Sequence, residues 1–248
     1  TAAADKNDLT VVRSMELQYA NNFAVDYCAN GCKIITDGAG QKFLWVPEGG
    51  EAPDDTGDMT VLQAPLTKLG CFSTTHATLF HAIGALDKVS LVTTDKDKWH
   101  IEQVAQQIED GTTTYVGKNS APDYELISAA APQIILISAN TMHGSDEVLA
   151  KLDELGIPYI ADSQHLENHP LGRVEWVKLV GALLDMEEEA DAYFDEEVQR
   201  VNAVAESVAG ESEHPTILQI YIFKGTVYVR NGGDYVNKML ELAGGTYP

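Results

Sequence analysis

The chain has 248 residues, 44% of them apolar and 22% charged, the make-up of a folded protein and not of a disordered or fibrous one. Against 16 Lys and Arg stand 38 Asp and Glu, a formal net charge of -22, which excludes nucleic acid and anionic lipid as partners held by basic patches. No apolar run reaches the roughly 18 residues that a membrane-crossing helix needs.

Thr1 to Asp8 is small and polar, with neither an initiator Met nor an apolar core behind basic residues. It reads as the start of a chain whose targeting segment has been removed, which admits an exported origin. Short apolar runs at Phe23 to Tyr27, Lys33 to Thr36 and Lys42 to Val46 are separated by Asn-Gly and Asp-Gly, so they predict an antiparallel meander, spanning about residues 20–63 once Thr60 to Gln63 is added. Cys28, Cys32 and Cys71 are too few for a disulfide scaffold. Cys28 and Cys32 flank Ala-Asn-Gly, and the residues leave two readings open: a bridge across a hairpin, or two ordinary small side chains.

Beyond the meander the pattern alternates. Helices are predicted at Thr75 to Leu86, Trp99 to Asp110, Asp123 to Ala131 and Ser145 to Leu155, and buried strands at Val89 to Thr93, Gln133 to Ser138 and Pro158 to Ala161. That order implies a parallel sheet covered by helices, with ligands at the loops beyond the strands' carboxyl ends, here starting at Thr93, Ser138 and Asp162. From Glu175 to Ala209 run 35 residues without Pro, predicting one helix of about 50 Å. Between Asp185 and Glu213, 11 acidic residues and one Arg form a solvated face. Strands at Thr216 to Phe223 and Gly225 to Arg230 and a helix at Tyr235 to Leu242 begin a second α/β unit.

Five segments in order resemble one family: Pro122-Asp123-Tyr124-Glu125-Leu126-Ile127, Pro132 to Ile137, Leu152 to Pro158, His169-Pro170-Leu171-Gly172-Arg173-Val174-Glu175-Trp176, and Tyr235 to Gly245. From about Val61 onward the chain is similar to the substrate-binding proteins of ABC importers that capture iron-siderophore, haem or cobalamin. The resemblance implies two α/β lobes joined by one long helix with ligand between them. The fold class expected is therefore α/β: a parallel-sheet lobe with helices on both faces, an N-terminal antiparallel β meander, a long backbone helix, and the start of a second α/β lobe. The corresponding boundaries are 1–170, 171–209 and 210–248.

The family presents an exposed Glu to basic pockets of the permease, and Glu125 aligns with the first-lobe position; the plainer reading is a carboxylate complementing a helix N-terminus. Cleft-facing candidates for ligand contact are Thr74, Thr75 and His76, Trp99 and His100, Asn140, Thr141, Met142 and His143, Gln164 and His165, and from the second unit Lys224, Tyr228 and Arg230. Arg, Lys and aromatic groups suit anionic chelates with flat or apolar bodies. Met142-His143 has side chains that ligate haem iron elsewhere, although such a pair on a loop is more often packing plus a solvated His. Arg173 and Glu175 read as anchors for the start of the long helix. His165 and His169 are four apart, yet Pro170 interrupts the helix that this spacing would need.

No nucleophile elbow or zincin motif is present, and the Gly111…Gly117-Lys118 stretch has five residues between its glycines where a phosphate loop has four, with Asn119 at the magnesium position. The leading expectation is a monomeric extracytoplasmic receptor, not an enzyme and with no resident cofactor, that binds a small-molecule metal chelate and hands it to an ABC permease. It meets the membrane only through an anchor or that permease. Two alternatives are a receptor for a bare divalent metal, with His76, His81, His100, His143, His165, His169 and His214 as the ligand pool, and a non-transport interaction module.

Overall fold

The computed structural model describes residues 5–138 and 145–248. Chain entry is a five-stranded sheet: β1 (Val11–Ser14), β2 (Ala24–Cys28), β3 (Lys33–Thr36), β4 (Lys42–Val46) and β5 (Thr60–Gln63), in that spatial order. The first four pair antiparallel, as the turn signals predict, but β5 lies parallel to β4, Leu44 against Val61. The long loop from Pro47 to Met59 is therefore a crossover and not a hairpin, which corrects the all-antiparallel meander.

The second sheet is parallel throughout. It is built from β6 (Leu69–Cys71), β7 (Val89–Val92) and β8 (Thr114–Tyr115), then, after the small ribbon of β9 (Gly117–Lys118) and β10 (Ala121–Pro122), from β11 (Ile134–Ser138) and β12 (Tyr159–Asp162). Spatial order is β12-β11-β6-β7-β8. The central strand, β6, has only three residues, and Gly70 is what lets it sit there: a Cβ would come within 2.7 Å of Leu91 and 2.9 Å of Ile135 on its two neighbours.

Helices α1 (Thr74–Ala82), α2 (Glu102–Glu109), α3 (Tyr124–Ala130) and α4 (Ser145–Glu154) connect these strands. Local caps set their ends. Ser73 accepts from the Thr75 N–H, and Asp123 accepts from the Glu125 and Leu126 N–H groups. α1 stops four residues before the predicted Leu86, because Gly84 turns left-handed (φ +70°) and the Ala85 N–H returns to the Phe80 carbonyl.

The single helix expected from Glu175 to Ala209 is instead three: α5 (Pro170–Glu175), α6 (Val177–Leu184) and α7 (Glu187–Val208). Asp185 takes the left-handed conformation (φ +59°), and the chain doubles back so that α7 packs on α6. The cause lies far away in sequence. Buried Lys33 on β3 reaches the Ala182 carbonyl at 3.0 Å, Asp185 at 2.9 Å and Glu187 at 2.6 Å, while the Trp45 indole donates to the Leu183 carbonyl at 2.9 Å. These contacts satisfy carbonyls that a helix end leaves orphaned. Gly181 permits the close crossing, since a Cβ would stand 2.6 Å from that of Ala190. The acidic start of α7, Glu187 to Glu189, sits at its positive pole. With 22 residues, α7 is about 33 Å long.

One apolar core joins the two sheets to α1 and α6 around Phe43, Leu69, Phe80, Trp176 and Phe194; a second, with Leu91, Ile127, Ile135 and Leu152, lies under α3 and α4. The chain closes with the ribbon β13 (Ile220–Phe223) and β14 (Thr226–Val229) and with α8 (Tyr235–Leu242), which packs on α5 and α7. The expected strand from Thr216 is regular only from Ile220, and Ile220, Ile222 and Phe223 on it are exposed.

Candidate ligand cleft

The strand order fixes where a site can form. From β6 the chain passes through α1 toward β7 on one side, and from β11 through α4 toward β12 on the other, so the connections leaving these neighbouring strands part in opposite directions, the switch point beside which such sheets take ligands. Thr74 and Thr75 are exposed at the first turn of α1, just beyond the end of β6.

Behind them His76 is fully buried, its Nε2 3.2 Å from Ser138 Oγ and 3.5 Å from Asp162 Oδ2. Burial holds its pKa below the usual imidazole value, with the Asp162 carboxylate pulling the other way. Asp162 in turn accepts from both the backbone and the side-chain N–H of Gln164, at 2.8 and 2.6 Å. His76 and Gln164 are thus buried behind the strand ends, and neither lines the cavity beyond β12.

Across from the β12 end stands the loop between β14 and α8. His165, Leu166, Glu167 and Asn168 on one side and Asn231, Gly233, Asp234 and Tyr235 on the other line a cavity of about 240 Å³. The Arg173 guanidinium lies 4.0 Å over the Tyr235 ring and ties the two walls. Arg230 donates to Asp234 at 2.9 Å, and Tyr247 Oη donates to the Arg230 carbonyl at 2.6 Å. Arg173, expected only to anchor a helix start, is thereby also a contact between the walls.

The other candidates are dispersed. Trp99 is half-buried, its indole spent on the Thr94 carbonyl at 3.0 Å, and His100 is exposed nearby. Lys224 occupies the β13–β14 turn with φ +48°, and Tyr228 stacks on Tyr221 at 4.9 Å along the ribbon. Neither lines the cavity. Asn140, Thr141, Met142 and His143 lie outside the described residues. Glu125 is exposed in the first turn of α3, with no ion pair among the described residues. Among the described residues no group of three or more His, Cys, Asp or Glu could hold a metal ion, and no helix is long and apolar enough to cross a membrane. Sequence reasoning missed Asn231, Gly233 and Asp234. Their signal was present: an Asn-Gly-Gly-Asp turn at the carboxyl end of a strand, closed by a helix cap.

Residues 71–247 match the family described as periplasmic binding protein. The chain belongs to that family. It is 34% identical over 175 residues to the uncharacterized lipoprotein MJ0878 of Methanocaldococcus jannaschii, which covers 66% of this chain and 41% of that one. Among solved structures it resembles an ABC transporter substrate-binding protein from Listeria monocytogenes, with TM-score 0.57, 17% identity, and 74% of this chain against 65% of that one. It also resembles the periplasmic haem-binding protein HutB of Vibrio cholerae, with TM-score 0.59, 15% identity, and 74% against 66%. At such identities these structures share the fold, and both are binding proteins. The chain thus spans less than half of the lipoprotein and about two thirds of the solved chains.

Proposed function

We propose that this chain is the ligand-gathering part of an extracytoplasmic solute receptor that captures a metal-chelate nutrient, an iron-siderophore first and haem or cobalamin next, and delivers it to an ABC permease. Residues 1–170 are its first lobe, 171–209 the connecting segment, here a set of packed helices, and 210–248 the beginning of the second lobe. The observation that carries this reading is the cavity after β12: residues 165–168 face the 231–235 loop across it, and the Arg173–Tyr235 contact bridges the two sides. The family match supports it, as does a lipoprotein relative, which agrees with an anchored protein outside the cell membrane.

No covalent step is involved. His165 and Asn168 are the first wall, Asn231, Asp234 and Tyr235 the second, with the exposed Thr74 and Thr75 as contacts from beyond the end of β6, and ligand selection follows from shape and charge between them. Glu125, exposed and free of ion pairs among the described residues, is the docking carboxylate for the permease. Delivery then follows from separation of the walls on the transporter.

Tryptophan-fluorescence titration with ferric siderophores, haem and cobalamin tests the reading, run on this chain and on the full-length gene product containing it. Saturable quenching by one chelate class in the full-length protein supports it. Silence of the full-length protein toward all three would sink it.

A further inference from the structure

Cys28 and Cys32 face each other across the tip of the β2–β3 hairpin. Tyr27 pairs with Lys33, so the next rung sets Cys28 opposite Cys32, and the Cys28 N–H donates to the Cys32 carbonyl at 2.8 Å. The Gly31 N–H donates to the Cys28 carbonyl at 3.0 Å, and Gly31 itself has φ +86°. This is the three-residue hairpin loop that ends on a left-handed glycine, and it fixes the rung. Both side chains are buried on one face with Leu44 and Val46, whereas Cys71 is fully buried in the main core.

Both residues are buried, Cys28 at 4% and Cys32 at 2% exposure, and what distinguishes them is the cavity beside one. Cys32 lines a cavity of about 490 Å³ at the surface, together with Lys6, Pro47, Gly49 and Glu51, and Cys28 does not. From this geometry we infer that Cys28 and Cys32 are a reversible thiol–disulfide pair, oxidised by a low-molecular-weight disulfide that enters through that cavity at Cys32. The inference is independent of what the ligand cleft binds.

The exchange balances in two steps. Cys32, as thiolate, attacks one sulfur of the small disulfide and expels one thiol, leaving a mixed disulfide. Cys28, as thiolate, then attacks Cys32 Sγ and expels the second thiol, so the protein loses two hydrogens and the small disulfide gains them. A directly opposed pair holds its Cβ atoms about 4.5–5.5 Å apart, and a disulfide wants about 3.5–4.5 Å. Bridging therefore draws the strands together, and the bond it makes is readily reduced. Burial raises both thiol pKa values, so the reaction quickens as pH rises and more thiolate forms.

The test uses the whole chain, reduced and then incubated with bis(2-hydroxyethyl) disulfide at about pH 8, near the ordinary thiol pKa. Expected is an intact mass lighter by two hydrogens, the loss mapping to the peptide from Ser14 to Lys33, with Cys71 alone alkylated after unfolding. A Cys28→Ser variant traps the mixed disulfide on Cys32 at least about tenfold faster than Cys32→Ser traps one on Cys28, as access through the cavity requires. Three alkylatable thiols after oxidation, or covalent dimers in place of the internal loss, would overturn the pair. Trapping faster at Cys28 would overturn the entry through Cys32. The wild-type mass stands as a readout even if a variant fails to fold.

Discussion

Glu167 and Glu175, at either end of α5, take up five consecutive backbone N–H groups of one loop. Glu175 accepts from Gln18, Tyr19 and Ala20, each at 2.8 Å, and Glu167 from Asn21 and Asn22, at 3.1 Å each, as well as from the Trp176 indole. Both carboxylates are buried, and Gly172 between them lets the loop close in, its absent Cβ leaving room 2.9 Å from the Tyr19 carbonyl. A loop with no regular structure is thereby fastened to the helix that also carries Arg173 toward the ligand cleft. Without Glu175 the Ala20 amide would be a buried donor with no partner.

Glu175→Ala is expected to destabilise the chain by about 3–5 kcal/mol, because it leaves three amides without their acceptor, the buried Ala20 N–H among them, and leaves buried Lys178 with only Asp191 and the Glu16 carbonyl. Glu175→Gln, which keeps an acceptor and the volume, costs about 1–3 kcal/mol. Urea denaturation followed by circular dichroism measures both, and equal losses would show that the negative charge carries the whole effect and the acceptor none of it.

Lys33 organises the α6–α7 reversal from a different sheet. Lys33→Met is expected to cost about 1–3 kcal/mol, since the Ala182 carbonyl loses its donor while Asp185, largely exposed, regains water. Hydrogen exchange at residues 182–190 rises more than in the meander if the role is local, and a uniform rise would refute it.

At Gly38 the β3–β4 turn touches the end of β12: its N–H donates to the Ala161 carbonyl at 3.0 Å, and an added Cβ would overlap Ser163 and stand 2.8 Å from that carbonyl. Gly38→Ala is expected to lower stability by about 1–3 kcal/mol. Ser163→Gly in the same chain should recover only part of the loss, because the Ala161 backbone remains; full recovery in the melting curve would contradict this packing.

His76 is buried with its pKa held below the ordinary 6.5 by desolvation. The folded state therefore favours the neutral ring, and the stability this brings is present above the unfolded pKa and falls away as pH drops below about 6.5. Ser138, Asp162 and the half-buried His165 surround it, and the His165 pKa is lowered too, with the same sign. Denaturation midpoints of wild type should drop between pH 7 and pH 5, and His76→Asn should show a shallower slope. Parallel slopes would place the pH dependence elsewhere.

For the docking role proposed for Glu125, Glu125→Arg in the full-length receptor is expected to cut uptake by the intact transporter at least about tenfold while leaving chelate affinity unchanged, as loss of a charge-assisted contact to a basic pocket would. Transport assays in membrane vesicles measure it. Uptake at the wild-type rate would remove Glu125 from the interface.

What the sequence determines by itself is what local physics controls. The apolar run of β11 and the Asp123 cap of α3 depend on residues within a turn of each other, so periodicity and capping reveal the alternating α/β plan and the place of its strand-end loops. Tertiary structure decides what distant partners control. Three residues suffice for β6 because Leu91 and Ile135 flank it, and β5 turns parallel because a long loop carries it over. An unbroken helical pattern is split at Asp185 by a lysine some 150 residues earlier. The cleft belongs to the second class as well: Arg173 and Tyr235 meet only after α8 packs on α5, and no spacing along the chain encodes that contact.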